Sequence, residues 1–345
     1  MSQANINISK MNISVVVITY NEESNISECI ESLMAQDYKN QYEVIISDGK
    51  SKDNTIKIVE KYIKKYGNRL RLIVKEGYSQ NQSRNIGIKS AKYDFVAFTD
   101  ADCIVPKNWL SILAKKYIEH KKNDPSLAGV GGANIPPINT ENNFLKAIGI
   151  AFDSWIGSLG SIQAKPLDRD KKVFSISCTN SVYNKKKLVD CGMFPNYKQQ
   201  LSDDWILGLR MKNKNYTLIG LKDSFVWHKM RASPKKFWKN MILYGSVRMH
   251  AIKTHFKENS TIYFLPLIFI LAMISSLVLF IILKYSIFLL VLAYFPIMFL
   301  YSTLLCLKKK KLNLTLSVFL VFLILHFGYS LGELYGLKWF FIKDQ

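Results

Sequence analysis

Ile13-Ser14-Val15-Val16-Val17-Ile18-Thr19-Tyr20-Asn21-Glu22 opens as a run of β-branched residues and stops abruptly at three polar ones. A short apolar run without a polar face reads as a strand buried on both sides. The pattern repeats outward from it. Ile26, Ile30, Leu33 and Met34 follow at helical spacing, and Tyr42 to Ser47 forms a second strand. Ile56, Val59 and Ile63 mark a second helix, Leu70 to Val74 a third strand, Asn81 to Ser90 a short helix, and Phe95 to Thr99 a fourth strand. Strand–helix alternation of this kind predicts an α/β fold with a mostly parallel sheet covered on both faces. Ligands of such sheets bind beyond the carboxyl ends of the strands. The polar clusters fall there: Tyr20-Asn21-Glu22 after strand one, Asp48-Gly49 after strand two, Asp100-Ala101-Asp102 after strand four.

Two nucleotide fingerprints fail. No GxGxxG follows the first strand, and Gly49-Lys50-Ser51 imitates the end of a P-loop whose earlier glycine falls on Val44. Carboxylate chemistry remains. Asp100 and Asp102 are two residues apart at a strand end, so both point to one side. Such hard oxygen ligands suit Mg²⁺ or Mn²⁺ with positions left open for diphosphate oxygens. Taken alone, the pair would equally suit a solvated turn.

Composition divides the chain. The net charge is +21 and the mean hydropathy +0.04, yet only seven basic and two acidic residues lie beyond residue 260. Thr261 to Leu283, Ile287 to Leu307 and Leu312 to Leu337 are apolar runs, each long enough for a helix to cross the roughly 30 Å hydrocarbon core. The first two, joined by Lys284-Tyr285-Ser286, predict a hairpin with both ends on one side. Lys308 to Lys311 closes it, and an acid-free basic stretch from Lys229 to Lys257 precedes it. The positive-inside rule assigns both to the cytoplasm, and the front domain with them. Lysines and arginines interleaved with Phe237, Trp238 and Tyr244 also resemble a single-stranded nucleic-acid surface. Their position directly before a span points instead to an interfacial helix on anionic lipid, with no nucleic-acid partner. Lysine supplies 40 of the 47 positive charges, which suits diffuse attraction better than bidentate reading. In the third run Gly328, Gly332 and Gly336 recur every four residues, a spacing that admits close helix pairing and a homo-oligomer through that span. His326 and Glu333 share a face there, where helix packing and contact with a lipid phosphate are the competing readings. Five scattered cysteines with no CxxC pair argue against a disulfide scaffold or zinc ribbon. A polar start without an apolar h-region leaves no cleaved signal peptide to expect.

Five separated blocks together resemble the family 2 glycosyltransferases, inverting nucleotide-sugar-dependent enzymes of GT-A fold. They are Val15 to Glu22; Glu43 to Thr55 around Asp48-Gly49; Arg84-Asn85-Ile86-Gly87 leading into Phe98-Thr99-Asp100-Ala101-Asp102; Cys178-Thr179-Asn180-Ser181 with Gly192 and Phe194; and Asp203-Asp204 with Gly208 and Arg210. The resemblance covers about residues 11 to 230 and implies a catalytic domain at 1–230; the charge and hydropathy patterns add a basic interfacial segment at 231–260 and three transmembrane helices at 261–340.

The resemblance further implies that Thr19, Tyr20 and Glu22 line the nucleotide and that Asp48 accepts a hydrogen bond from its base. Arg84 would sit near the diphosphate, and Asp102, assisted by Asp100, would hold Mn²⁺ or Mg²⁺. His228 is an added candidate ligand for metal or diphosphate, against the plainer reading of a packed histidine. Asp204, with Asp203 standing where the family usually has Glu, is the expected general base; its plainer reading is a carboxylate favourable at a helix N-terminus. The Gln-x-x-Arg-Trp block of processive synthases is not found, which argues against a polymer-extruding enzyme. The expected activity is transfer of a sugar from a nucleotide-sugar donor to a hydroxyl of a lipid-linked saccharide at the cytoplasmic membrane face. The alternatives are a polyisoprenyl-phosphate glycosyltransferase, whose ionised acceptor needs no base, and an inactive membrane-anchored binding or scaffold protein. The segment from Gly129 to Lys172 is expected to shape the acceptor pocket.

Overall fold

The computed structural model describes residues 11–76, 79–135, 141–158, 166–195, 203–229, 233–254, 264–283 and 292–341, with backbone alone at 203, 251, 254 and 283. The chain divides into two units: Met1–Pro137 with Ser161–Lys229, and Ile138–Gly160 with Met230–Gln345.

The first unit begins as the alternation predicts: β1 (Ile13–Thr19), α1 (Ile26–Met34), β2 (Tyr42–Asp48), α2 (Thr55–Tyr66), β3 (Leu70–Val74), α3 (Gln80–Ser90) and β4 (Phe95–Asp100). These four strands pair in parallel, with Val15 beside Val44 on one side and Ala97 on the other. The chain continues through β5 (Cys103–Ile104), α4 (Trp109–Asn123) and β6 (Leu127–Ile135). Two helices of the second unit follow, α5 (Asn143–Phe152) and α6 (Trp155–Ser158). The chain then returns as β7 (Lys171–Val173), β8 (Ser181–Asn184), α7 (Lys185–Asp190), α8 (Asp203–Asn213) and β9 (Thr217–His228). The sheet order is β3-β2-β1-β4-β8-β6-β9-β5, with β7 also on β9. Because β8, β5 and β7 run antiparallel to their neighbours, the sheet is mixed, and only its first half is purely parallel.

Successive residues of β1 face opposite sides of the sheet, so Val15 and Val17 enter one apolar core while Val16 enters the other. Both faces are buried, as the unbroken apolar run requires, and each such side chain contributes about 1.5–3 kcal/mol on burial. At Gly87 a Cβ would lie 2.3 Å from Val16 Cγ1. Glycine there lets α3 lie directly on β1, which fixes Arg84 one turn earlier over the strand ends.

The second unit holds α5, α6, α9 (Pro234–Thr254), α10 (Leu265–Leu283), α11 (Tyr294–Lys308), α12 (Thr315–Leu323) and α13 (Tyr329–Gly336). A π-helical turn, Ile324–Gly328, joins the last two. Among the described residues, two stretches, Leu265–Ile282 and Leu312–Phe340, are long and apolar enough to cross a membrane. The second expected span appears as α11, whose 15 residues rise only about 22 Å. Residues 284–291, where the hairpin link and the start of that span were expected, lie outside the described residues. The helix expected from Phe144 to Leu159 is present as α5 and α6, so the segment proposed to shape the acceptor pocket is shared between the two units. Its Pro136-Pro137 pair lies outside the described residues.

The glycine repeat corrects one expectation. A Cβ on Gly332 would meet Ile242 O at 2.2 Å, and one on Gly245 would meet Tyr329 O at 2.1 Å. Gly328 and Gly336 face Met241 and Met249 in the same way. The close approach permitted by the repeat is therefore made by α9 of the same chain, and the glycine face is not free to build a homo-oligomer. The same packing covers the apolar side of α9, burying Phe237, Met241, Val247 and Met249, while Lys235, Lys236 and Lys239 stay exposed. The hydroxyl of Tyr294 on α11 lies 2.7 Å from His326 Nδ1 in the π-helical turn, and Glu333 of α13 is completely buried.

Candidate functional site

The polar loops after β1 and β2 are tied into one shelf. Gly49 N–H donates to Thr19 O (3.0 Å). Asn21 N–H donates to Ser51 Oγ, Lys52 N–H to Asn21 Oδ1 and Glu22 N–H to Thr55 Oγ1, each at 2.8 Å. Asn21 (φ 56°) and Lys50 (φ 65°) are both left-handed. Asparagine tolerates that region, but a lysine held there costs of order 1–3 kcal/mol and persists because the surrounding bonds over-determine the loop. Tyr20 stands about half exposed beside the shelf, and the buried hydroxyl of Thr19 beneath it has no partner among the described residues. Glu22 accepts from Asn25 Nδ2 at 2.7 Å. Asp48 is buried, and its two oxygens accept from Ser51 N–H and Ser51 Oγ, both at 2.7 Å. Its carboxylate thus shapes the second loop, and each oxygen retains a second lone pair as an acceptor.

The acidic centre gathers residues from four separate stretches. Asp100 ends β4, and Arg84 of α3 reaches it with Nη2 3.3 Å from Oδ1. Arg84 is buried, its guanidinium 5.7 Å from the Phe194 ring. Asn85, next in the motif, holds Phe194 in place through both its backbone N–H and its C=O. Asp102 lies 3.2 Å, Oδ2 to Nε2, from His228 at the end of β9. Lys229 N–H donates to Asp102 O at 2.9 Å and fastens the two chain segments. Asp204 lies in the first turn of α8 and accepts from Cys178 N–H at 3.3 Å. The side chain of Asp203 is outside the described residues.

Burial pushes the carboxyl of Asp100 above the usual range, with Arg84 pulling it down and Asp102 pushing it further up. Burial likewise raises Asp204, opposed by Arg84 and by the Cys178 N–H. Arg84 therefore sits as the cation between two acids, deeper than a residue expected only near a diphosphate. Cys178-Thr179-Asn180 lies under this centre. Asn180 accepts at Oδ1 from Trp109 Nε1 (2.8 Å) and Ser224 Oγ (2.9 Å) and donates from Nδ2 to Ala133 O (3.0 Å), which makes it a structural hub. Arg210 also serves structure, donating to Gly192 O and Met193 O.

The donors fit a divalent ion. Oxygen and nitrogen 3.2 Å apart on Asp102 and His228 have the separation of two ligands at about 2.0–2.2 Å from one centre. Asp102, Cys103 and His228 together offer an oxygen, a sulfur and a nitrogen within 4.8 Å of one another. Cys103 escaped the sequence reading, in which it was one of five scattered cysteines. What brings it in is the pairing of two-residue β5 with β9, which sets Cys103 opposite His228.

The family profile "Glycosyl transferase family 2" matches residues 14–191. A curated Methanococcus voltae protein, dolichyl N-acetyl-alpha-D-glucosaminyl phosphate 3-beta-D-2,3-diacetamido-2,3-dideoxy-beta-D-glucuronosyltransferase, is 28% identical over 241 residues, 68% of this chain and 72% of that protein. Poly(ribitol-phosphate) beta-N-acetylglucosaminyltransferase TarS of Staphylococcus aureus is 35% identical over 129 residues, 36% of this chain and only 22% of its own length. Among solved structures, mannosyltransferase PcManGT from Pyrobaculum calidifontis, in complex with GDP-Man and Mn²⁺, superposes with a TM-score of 0.59 over 90% of this chain and 86% of that one, at 16% identity. The chain belongs to glycosyl transferase family 2, and it is a nucleotide-sugar-dependent glycosyltransferase of GT-A-like fold.

Proposed function

We propose that this chain is an inverting glycosyltransferase that moves a sugar from a nucleotide-sugar donor to a hydroxyl of a lipid-linked saccharide at the cytoplasmic membrane face. The observation that carries this reading is Asp204: a partly buried carboxylate, made more basic by burial, grouped with Asp100, Arg84, Asp102 and His228. A base is needed for a hydroxyl acceptor and not for an ionised phosphate. The Methanococcus voltae relative, whose name describes glycosylation of a dolichyl-linked sugar phosphate, supports the same acceptor class.

The donor's nucleotide lies along the loop shelf at Thr19, Tyr20 and Glu22, with Asp48 offering its remaining lone pairs to the base. A divalent ion, Mn²⁺ or Mg²⁺, on Asp102 and His228 with Asp100 beside it supplies charge neutralisation for the departing diphosphate; the Mn²⁺ complex of the mannosyltransferase supports this choice. Arg84 draws Asp100 back toward its charged form and lowers the mutual repulsion of the acids. Asp204 takes the hydroxyl proton while the acceptor oxygen bonds to the anomeric carbon and the carbon–diphosphate bond breaks. The apolar helices beyond residue 260 anchor the enzyme where such an acceptor resides, as three spans with residues 1–230 on the cytoplasmic side.

The experiment offers labelled sugar nucleotides with either bare polyisoprenyl phosphate or a lipid-linked glycan to the full chain in detergent. Label on the glycan, lost in Asp204→Asn, is expected. Label on the bare phosphate that survives Asp204→Asn overturns both acceptor and base. Absence of turnover across a donor panel with Mn²⁺ or Mg²⁺ would identify a binding protein. A reporter fused after Lys311 should read as cytoplasmic.

A further inference from the structure

We infer that Cys103 is a third protein ligand of the metal site, giving it a sulfur donor and a preference for soft cations. The inference rests on Asp102 and His228 being metal ligands, as proposed above. Its geometric basis is the pairing of β5 with β9. Cys103 and His228 are directly opposite in an antiparallel register, and side chains so placed stand on one face of the sheet about 4.5–5.5 Å apart at Cβ. Asp102 precedes Cys103, and its Oδ1 lies 3.9 Å from the sulfur. Its Oδ2 lies 3.2 Å from His228 Nε2, and one donor atom from each of the three residues falls within a 4.8 Å group.

A tetrahedral ion with bonds of about 2.0 Å to oxygen and nitrogen and about 2.3 Å to sulfur separates its ligands by roughly 3.3–3.6 Å. The edge from Oδ2 to the His228 nitrogen is already at that length. The sulfur lies 3.9 Å from the other oxygen, Oδ1, and the three donors, one from each residue, fall within 4.8 Å, so the group would draw in by up to about an ångström around an ion. Three protein ligands leave a fourth position open, the arrangement of catalytic rather than structural sites. Such a position is where a diphosphate oxygen would enter.

Sulfur changes which ion the site prefers. Asp102 and His228 alone suit Mn²⁺ or Mg²⁺. Adding a thiolate moves the balance to Zn²⁺, Co²⁺ and Cd²⁺, both by ligand softness and by the general affinity order of divalent ions. As the metal–sulfur bond forms, the thiol proton leaves to solvent, because a coordinating thiol is held deprotonated. The site should therefore take Zn²⁺ in preference to Mn²⁺.

Titration of the purified full chain with Co²⁺ alone tests this by spectroscopy, without turnover. A thiolate-to-cobalt charge-transfer band is expected, saturating at one equivalent, absent in Cys103→Ser and retained in Cys29→Ser. Mn²⁺ binding, followed by loss of its free-ion paramagnetic resonance signal, should persist in Cys103→Ser. The Zn²⁺ concentration that displaces Mn²⁺ should rise at least about tenfold in that variant. Stoichiometric Co²⁺ binding without the band, a band that survives Cys103→Ser, or an unchanged Zn²⁺ displacement overturns the sulfur ligand and leaves the Asp102–His228 reading standing. Failure of the wild-type chain to bind either ion, with nucleotide present, overturns both.

Discussion

Carboxylates in two regions of the catalytic unit are treated in opposite ways. On the flanks of the sheet, Glu43, Asp124 and Asp170 are enclosed by donors. Glu43 accepts from Ser14 Oγ (2.8 Å), Lys92 N–H (2.8 Å) and Arg71 (2.9 Å). Asp124 accepts from Thr217 Oγ1 (2.8 Å) and pairs with Lys172 (3.1 Å). Asp170 accepts from Lys116 (2.8 Å), His120 (3.0 Å) and Lys222 N–H (2.9 Å). Burial pushes all three upward, but these donors outweigh it and leave each acid below its ordinary range. At the carboxyl end of the strands the balance reverses: burial, with Asp102 beside it, keeps Asp100 raised against Arg84 and His228, and burial keeps Asp204 raised against Arg84 and the Cys178 N–H. The flank acids hold the fold. In the centre the charged form is disfavoured, which an ion, a diphosphate or an acceptor proton would offset.

The largest break in this contrast is expected from Asp204→Asn. If Asp204 is the base, kcat should fall about 10²–10⁴-fold, measured as label transferred per folded enzyme. Stability should hold or rise. A folded pKa above the unfolded one means that ionising the group costs the native state at neutral pH, and asparagine removes that cost. The wild-type rate should fall as pH drops through the raised pKa of Asp204, since the base works ionised; this acid limb should lie above the 3.8 of an ordinary aspartate. A profile flat down to that value would assign the proton to another group.

Glu43→Ala should do the converse. Removing one partner of a buried, hydrogen-bonded pair costs about 3–5 kcal/mol, because Arg71 and the Lys92 N–H lose their acceptor. The melting temperature should fall by several degrees while kcat per folded molecule is unchanged. Equal losses of rate and stability would erase the distinction between the two regions.

The sequence carried the first half of this architecture more fully than the second, for a physical reason. From Ile13 to Thr99 the strands are short, predominantly apolar runs and α1 and α2 carry apolar residues at helical spacing, so local pattern and tertiary role largely coincide. The later strands are short, glycine-rich or paired through distant partners: β5 has two residues, and β6 contains Gly129, Gly131 and Gly132. Their pairing depends on contacts distant in the chain, from Lys171 with Gly220 to Cys103 with His228. Asp100, Asp102 and Asp204 could be picked out as candidates because their motifs are local. The depth of Arg84, the enclosure of Asp48 by its own loop, and the sulfur beside Asp102 were not, since each follows from packing between separate segments. In the second unit the glycine spacing identified a close helix contact, but spacing alone does not say which helix fills it, and α9 of the same chain does.

The smallest effect tests whether the flank acids contribute as enclosed charges. Asp170 is held at about 2 against an ordinary value of 3.8: burial pushes it up, and the bonds from Lys116, the Lys222 N–H and His120 more than offset that push. A lowered folded pKa contributes stability that is complete above the unfolded value and is lost as pH falls through the folded one. The window is therefore roughly pH 4 down to pH 2, and the contribution is about 2 kcal/mol. Asp170→Asn should lower the melting temperature at neutral pH, and the gap from wild type should narrow as the pH is taken below about 4. A gap of constant size down to pH 3 would mean that Asp170 acts through shape and hydrogen bonding, not through its charge. The division between the two regions would then be one of geometry instead of electrostatics.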